Sequence, residues 1–214
     1  MTTLQTLAWV TFVLLFLNNV RHLDLSEFAN DKRRQHIVFG AMAALFFLWL
    51  FRAGIYDGLD VHFLWLTALS LTLGFRWALF ASSVALLGVT VVGLEEWHMF
   101  GVNAWLNVVA PIAMSYLVYI ISFHKIPRHV FIYIFVCAFF PGALVIALQI
   151  FLLGGYYYID DIYSWQVVYD NYILLIPLML FPEGLLNGMT MTLFIIYKPE
   201  WVYSFHDKFY IDGK

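Results

Sequence analysis

Apolar residues run along this chain in long stretches, broken by short polar connections. The stretches cover residues 4–20, 36–51, 61–75, 77–94, 102–123, 130–153 and 172–197. A helix rises 1.5 Å per residue, so a bilayer core of ~30 Å takes about 20 mainly apolar residues. Periodicity does not distinguish helix from strand in a run that is apolar throughout, so length decides. Runs of 15 to 26 residues exceed the ~9–11 of a membrane-spanning strand. Helices also satisfy every backbone N–H and C=O within the hydrocarbon. The pattern predicts an all-α integral membrane protein of one polytopic domain, residues 1–214, with seven spans. The third is short and is separated from the fourth by Gly74-Phe75-Arg76-Trp77, which reads as a tight turn.

Composition sharpens this picture. Of 214 residues, 63% are hydrophobic and 12% charged, against about 25% charged in a soluble domain. Such a chain could not cover a water-facing surface, which argues against a soluble enzyme, a nucleic-acid reader or a disordered regulator. The single Cys137 excludes an internal disulfide and a cysteine metal cluster.

Charge placement gives an orientation. The connections after spans one, three, five and seven carry Arg21, Lys32, Arg33, Arg34, Arg76, Lys125, Arg128, Lys198, Lys208 and Lys214, which is ten of the eleven basic residues. Arg52 alone lies on the other side. The positive-inside bias then puts the amino terminus outside and the carboxyl terminus in the cytoplasm. No Lys or Arg precedes the first apolar run, so that run reads as a retained helix rather than a secretory signal.

The side assigned as outer carries Asp57, Asp60, Glu95, Glu96, Asp160, Asp161 and Asp170. Seven carboxylates there raise the local cation concentration, although acids also gather wherever bases are excluded. His62 opens the third run beside Asp57 and Asp60, and His98 follows Glu95-Glu96. Imidazole with carboxylate suits Ni, Co or Zn better than Mg or Ca; a histidine at a span end can equally be an interfacial hydrogen-bonding group. Asn103 and Asn107 stand four residues apart at the outer start of the fifth run. They read either as glue between helices or as a pair that orients a ligand. Glu183 sits near the middle of the last run, in Pro182-Glu183-Gly184-Leu185-Leu186-Asn187-Gly188. A carboxylate at that depth must face the bundle interior and be paired or protonated. It is either a lock between helices or part of a substrate or proton path, with Asn187 one turn on as its expected partner. Tyr156-Tyr157-Tyr158, Tyr163 and Trp165 read as an interfacial aromatic belt in a connection at 154–171, and Trp49, Trp77, Trp97 and Trp201 as markers of span ends. No phosphate loop, nucleophile–base layout or His-Glu-x-x-His is present, so nothing points to an enzyme or to a permanently bound cofactor.

Three local patterns, in order, resemble one family. Asp60-Val61-His62-Phe63-Leu64 with Thr72-Leu73-Gly74-Phe75-Arg76-Trp77-Ala78 resembles a histidine-bearing helix that ends in Leu-Gly-Pro-Trp-Ala. Gly101-Val102-Asn103-Ala104-Trp105-Leu106-Asn107 resembles a Gly-Ala-Asn-x-x-Asn segment, and Pro182-Glu183-Gly184-Leu185-Leu186 a late Glu-Gly/Ala-x-Ile segment. These belong to the cobalt/nickel-uptake substrate-specific membrane components of energy-coupling-factor transporters. The resemblance implies capture of Co²⁺ or Ni²⁺ from outside a bacterial inner membrane, with a transmembrane coupling subunit and cytoplasmic ATPases as partners. It implies a metal held by the N-terminal amine, a histidine after the first methionine and the histidine matching His62, with the Asn103/Asn107 pair organising the site. The chain departs from the family at its start, where Met1-Thr2-Thr3-Leu4 stands in place of Met-His-Ile. His98, Glu95 and Glu96 are the candidate replacements for the missing donor. The alternative is the same fold reused as a membrane scaffold or assembly factor that transports nothing.

Overall fold

The computed structural model describes residues 1–127 and 129–205. Arg128, His206, Lys208 and Lys214, used above in reading charge and interface, lie outside the described residues. The described residues are mostly helical, and among them the sole β feature is an isolated antiparallel bridge between Ala53 and Val61. Among the described residues, five helices are long and apolar enough to cross a membrane: α1 (Thr3–Arg21), α4 (Leu66–Val91), α5 (Trp97–Lys125), α6 (Val130–Ile159) and α7 (Trp165–Tyr197). Between α1 and α4 lie the short α2 (Leu25–Asn30) and α3 (Lys32–Leu50). The first turn of α3 is Lys32-Arg33-Arg34-Gln35-His36, which leaves it a shorter apolar stretch than the others.

Local sequence explains where these helices begin. Thr2 forms a capping box on α1: its Oγ1 accepts from the Gln5 N–H at 3.3 Å and its own N–H donates to Gln5 Oε1 at 2.8 Å. Asp24 caps α2 and Asp31 caps α3 through the backbone N–H groups of Glu27 and Arg34. The Glu27 N–H and the Ser26 hydroxyl, both donating to it, hold the Asp24 carboxyl below its usual range. Both α5 and α6 widen to π-helical turns, at Ala104–Val109 and Tyr133–Phe139, each ahead of a proline, Pro111 or Pro141. A proline ring clashes with the carbonyl four residues back, and a wider turn relieves that clash.

The run at 61–75 is not a helix over its whole length. The chain leaves α3 at Phe51, passes through an irregular segment to Trp65, and only then enters α4. Trp65 has φ 56°, in the left-handed region. Gly74, at φ 76° and ψ 167°, breaks α4 into an eight-residue first half and a longer second half. A Cβ at Gly74 would meet the Tyr203 ring at 3.1 Å in a conformation that side chains rarely adopt. Every residue of the first half, from Leu66 to Leu73, is buried.

The bundle has two chemically distinct ends. At one end Arg52 meets Glu95, Thr2 meets Asp160, and Tyr163 reaches the Asp57 carbonyl; this is the acidic end. At the other end Arg76 reaches the His22 carbonyl and Arg33 pairs with Glu200. Helix α1 packs on α5 where Gly101 is so close that a Cβ would lie 2.4 Å from the Trp9 nitrogen. Its other flank exposes Leu7, Val10, Leu14 and Leu17, as a lipid-facing helix does.

Several aromatic assignments change. Trp49 and Trp77 are 1% and 4% exposed, so they are core residues rather than span-end markers. Trp77 stacks on Phe28 of α2, which folds over the basic end. Tyr156 and Tyr157 are buried within α6, not in a connection, and residues 165–171 are helical as well. Helical continuation brings Tyr156 against Gln5 of α1 and Tyr157 against Gly58 of the 51–65 segment.

Candidate functional site

Glu183 explains how an irregular segment survives inside the bundle. The first N–H groups of a helix have no intrahelical acceptors, and Trp65 provides no side-chain cap to α4. The acceptors come from α7: Glu183 Oε2 accepts from the Leu64 N–H at 2.9 Å and Oε1 from the Trp65 N–H at 2.7 Å. Asn187 Oδ1 accepts from the Ala68 N–H at 2.8 Å, while its Nδ2 donates to Glu183 Oε1 at 2.8 Å. A carboxylate at this position also faces the positive end of the helix dipole. Trp65 Nε1 donates to Thr190 Oγ1, fixing the indole on the same face of α7. At the far end of the half-helix the Tyr203 and Ser204 N–H groups donate to the Thr72 and Leu71 carbonyls. The half-helix that follows the His62 segment is thus pinned at both ends.

Above this anchor lies a polar network at the acidic end. Arg52 is nearly buried, its side chain 10% exposed. Its Nη1 donates to Glu95 Oε1 at 2.5 Å and lies 3.8 Å from Asp60 Oδ2, and its Nε donates to the Trp49 carbonyl. The other Glu95 oxygen accepts from Asn103 Nδ2 at 2.6 Å. From there the bonds run inward: Asn107 Nδ2 donates to Asn103 Oδ1, and Gln149 Nε2 donates to Asn107 Oδ1 at 2.9 Å and to the Tyr172 hydroxyl at 3.2 Å. Burial pushes the carboxyls of Glu95 and Asp60 above their usual range, with the Arg52 guanidinium pulling both the other way.

His62 sits beside this network, 8% exposed. Its ring packs on Trp49 at 5.6 Å, and its Nδ1 lies 3.1 Å from the Phe63 carbonyl. Nδ1 on a carbonyl fixes the tautomer that leaves Nε2 as the lone-pair donor, and Nε2 has no hydrogen-bond partner among the described residues. The other expected site residues fall into two groups. Glu95, Asn103 and Asn107 are joined in the Arg52 network. Glu96 and His98 pair with each other at 2.9 Å on the surface, 73% and 43% exposed, apart from it. Among the described residues no group of three or more His, Cys, Asp or Glu side chains is close enough to hold a metal ion. Sequence reading passed over Arg52, Asp60, Gln149 and Tyr172 as site residues. The one signal for Arg52 was its standing as the sole base among acids; Gln149 and Tyr172 carry none.

The cobalt uptake substrate-specific transmembrane region family matches residues 2–201 of this chain. The chain belongs to this family. Two solved structures share its fold. One is a crystal structure of a truncated transition-metal transporter, 15% identical, with a TM-score of 0.73, covering 93% of this chain and 94% of that one. The other, of a transition-metal transporter, is also 15% identical, with a TM-score of 0.70, covering 91% and 86%. No curated protein matches by sequence. The chain is accordingly a multi-pass membrane protein of a substrate-binding metal-uptake family, and its relatives are transporters rather than enzymes.

Proposed function

We propose that this chain takes up a divalent transition-metal cation, Co²⁺ or Ni²⁺, at its acidic end and holds it while partner subunits drive release. The single observation that carries the reading is His62, buried on a segment that Glu183 anchors, in a chain of the cobalt-uptake family. His62 supplies the imidazole donor and Glu95 a carboxylate. Asn103 and Asn107 organise the Glu95 side chain, and Glu96 and His98 form an outer pair that meets the incoming cation. The chain crosses a bacterial inner membrane seven times with its amino terminus outside, counting α1, α3, α5, α6 and α7 with the stretches before and after the Gly74 break, 61–73 and 75–91, as separate spans. Concentration of the basic residues at one end, with Arg52 alone at the other, supports that orientation. A transmembrane coupling subunit and cytoplasmic ATPases dock at the basic end, since no nucleotide-binding motif occurs in this sequence.

The test is elemental analysis of purified protein with an untagged amino terminus after exposure to Co²⁺, Ni²⁺ and Zn²⁺, alongside His62→Ala. Near-stoichiometric metal that is lost in the variant supports capture at His62. Metal retained in His62→Ala moves the site elsewhere, and no metal in either protein leaves the scaffold role.

A further inference from the structure

We infer that a groove at the basic end, between α3 and α7, holds one phospholipid with a primary-ammonium headgroup. Its acyl chain lies along α3, and its phosphate and ammonium meet Arg33 and Glu200. The inference is independent of what the acidic end binds.

The groove has an apolar body and a charged mouth. The body is a cavity of about 510 Å³ walled by Ile37, Gly40 and Ala41 of α3 and Phe194 of α7, with Leu69 and Thr72 of the first half of α4 as its floor. Arg33, Ile37 and Ala41 stand one turn apart on α3, so the groove follows that helix for about 12 Å at 1.5 Å rise per residue. Two polar side chains along it are satisfied within the protein. The Thr72 hydroxyl donates to the Ala68 carbonyl, and Trp65 Nε1 donates to Thr190 Oγ1. The body therefore offers little to water, and hydrocarbon is the natural filling for a cavity of that kind.

Gly40 is an independent sign of an occupant. A glycine inside a helix is destabilising relative to alanine, and in a membrane bundle the close approach of another helix offsets that cost. Gly88 and Gly101 follow this rule, with neighbours 2.8 and 2.4 Å from where a Cβ would stand. Around Gly40 nothing lies within 4 Å. Its missing side chain keeps the wall of the groove low instead of admitting a neighbouring helix.

The mouth opens into a polar cavity of about 270 Å³ that shares Arg33, Ile37, Thr72 and Trp201 with the body. Asp31, Arg34 and Glu200 border it as well. Asp31 is engaged in capping α3, and Arg34 lies 3.6 Å from Glu27 and over the Trp77 ring. Arg33 and Glu200 are half-exposed and 3.7 Å apart, beyond hydrogen-bond reach. Both keep bonding capacity for a ligand that carries two charges. A guanidinium pairs bidentately with phosphate oxygens, and a carboxylate accepts from an ammonium. A purely anionic headgroup would meet Glu200 as a like charge, and a choline headgroup has no N–H to donate. Trp201, in edge contact with Phe194 and beneath the Lys198 ammonium, marks the boundary between body and mouth, the level at which an indole meets headgroups. A basic pocket between membrane helices is a recurrent setting for lipid headgroups.

The experiment uses full-length protein purified in detergent. Native mass spectrometry reads retained lipid, and the thermal midpoint is followed as phosphatidylethanolamine, phosphatidylglycerol or phosphatidylcholine of the same acyl chains is added. Wild type is compared with Gly40→Leu, Arg33→Gln, Glu200→Gln and Leu14→Phe, the last adding bulk on the exposed flank of α1. Wild type is expected to retain one phosphatidylethanolamine and to prefer it at least fivefold over the other two. Gly40→Leu fills the body and should cut retention of all three at least fivefold, whereas Leu14→Phe equals wild type. Arg33→Gln weakens all three, and Glu200→Gln erases the preference for phosphatidylethanolamine over phosphatidylglycerol. If Gly40→Leu folds poorly, the headgroup preference of Glu200→Gln, a change at the exposed mouth, decides the matter. The inference is overturned if wild type does not distinguish the three lipids, if folded Gly40→Leu retains as much lipid as wild type, or if Leu14→Phe loses as much. Loss of partner-subunit assembly in Gly40→Leu with lipid retention unchanged also overturns it and gives the groove to a protein.

Discussion

Truncating Glu183 to alanine removes the group that joins α7 to the start of α4, and the structure allows the cost to be worked out. Two backbone donors, the Leu64 and Trp65 N–H groups, lose their acceptors at 2.9 and 2.7 Å. Asn187 Nδ2 keeps a second acceptor, the Glu183 carbonyl at 2.8 Å, so that side chain is not stranded. Polar side-chain bonds between membrane helices average only ~0.6 kcal/mol, because the unfolded chain in the membrane finds other partners. That average does not apply directly here, since alanine leaves two buried donors with no partner in the folded state. A stranded buried donor costs about 1–3 kcal/mol, so Glu183→Ala is expected to lose about 2–6 kcal/mol. At about 2–4 °C per kcal/mol for a chain of this size, the thermal midpoint in detergent falls by at least 4 °C. Glu183→Gln retains one acceptor oxygen and turns an amide toward the other N–H, so it should lie between wild type and alanine. Hydrogen exchange localises the effect, with the Leu64, Trp65 and Ala68 amides losing protection before those of α5 or α6. A midpoint for Glu183→Ala within 1 °C of wild type, or an order in which glutamine is worse than alanine, would refute the reasoning.

Asn187→Leu, which strands the Ala68 N–H and crowds Gly142, should destabilise by about 1–3 kcal/mol and loosen the same three amides. Gly74→Ala is expected to cost about 1–3 kcal/mol from backbone strain alone at φ 76°, read as a lowered thermal midpoint; an unchanged midpoint would mean the turn relaxes freely. Gly101→Leu forces α1 away from α5, because even a Cβ would overlap the Trp9 backbone, and should raise the accessibility of a cysteine placed at Trp9 to a thiol reagent. The Glu95 carboxyl has its pKa raised on folding from the ordinary 4.5, so folded protein binds more protons than unfolded just above pH 4.5. Its contribution to stability is therefore fullest below pH 4.5 and is lost as pH rises through the folded value. Glu95→Gln should flatten the dependence of thermal midpoint on pH in that window, and an unchanged slope would dissociate Glu95 from it.

What the sequence disclosed depended on whether a property was local. Long apolar runs gave the helical membrane class, and Gly74 marked a break in backbone direction because its cause lies in one residue. The Glu183–Asn187 pairing was legible because the residues stand one turn apart on a single helix. The irregular entry at 51–65 was not, since its backbone is satisfied by side chains 118 and 119 residues away and apolar composition alone reads as helix. Trp49 and Trp77 were misplaced for a related reason: an indole suits a membrane interface and a bundle core equally well, and only packing distinguishes them. Arg52 carried its charge in plain view, but its partners Asp60 and Glu95 come from different connections, so their convergence is a property of the fold.

The half-helix from Leu66 to Leu73 has a consequence for how the chain is made. Its amino end is completed by residues 183 and 187 and its carboxyl end by residues 203 and 204. During synthesis it therefore waits through more than a hundred further residues, about 6–24 s at ~5–20 residues per second, with polar backbone that nothing nearby can satisfy. In a lipid environment that backbone cannot rest where it finally belongs. The segment bearing His62 thus depends for its backbone partners on the last helix to be made, although it is among the first third to leave the ribosome. A nascent chain that ends before Glu183 lacks the acceptors for the Leu64 and Trp65 N–H groups, so this architecture withholds the finished His62 segment until the final helix is in place.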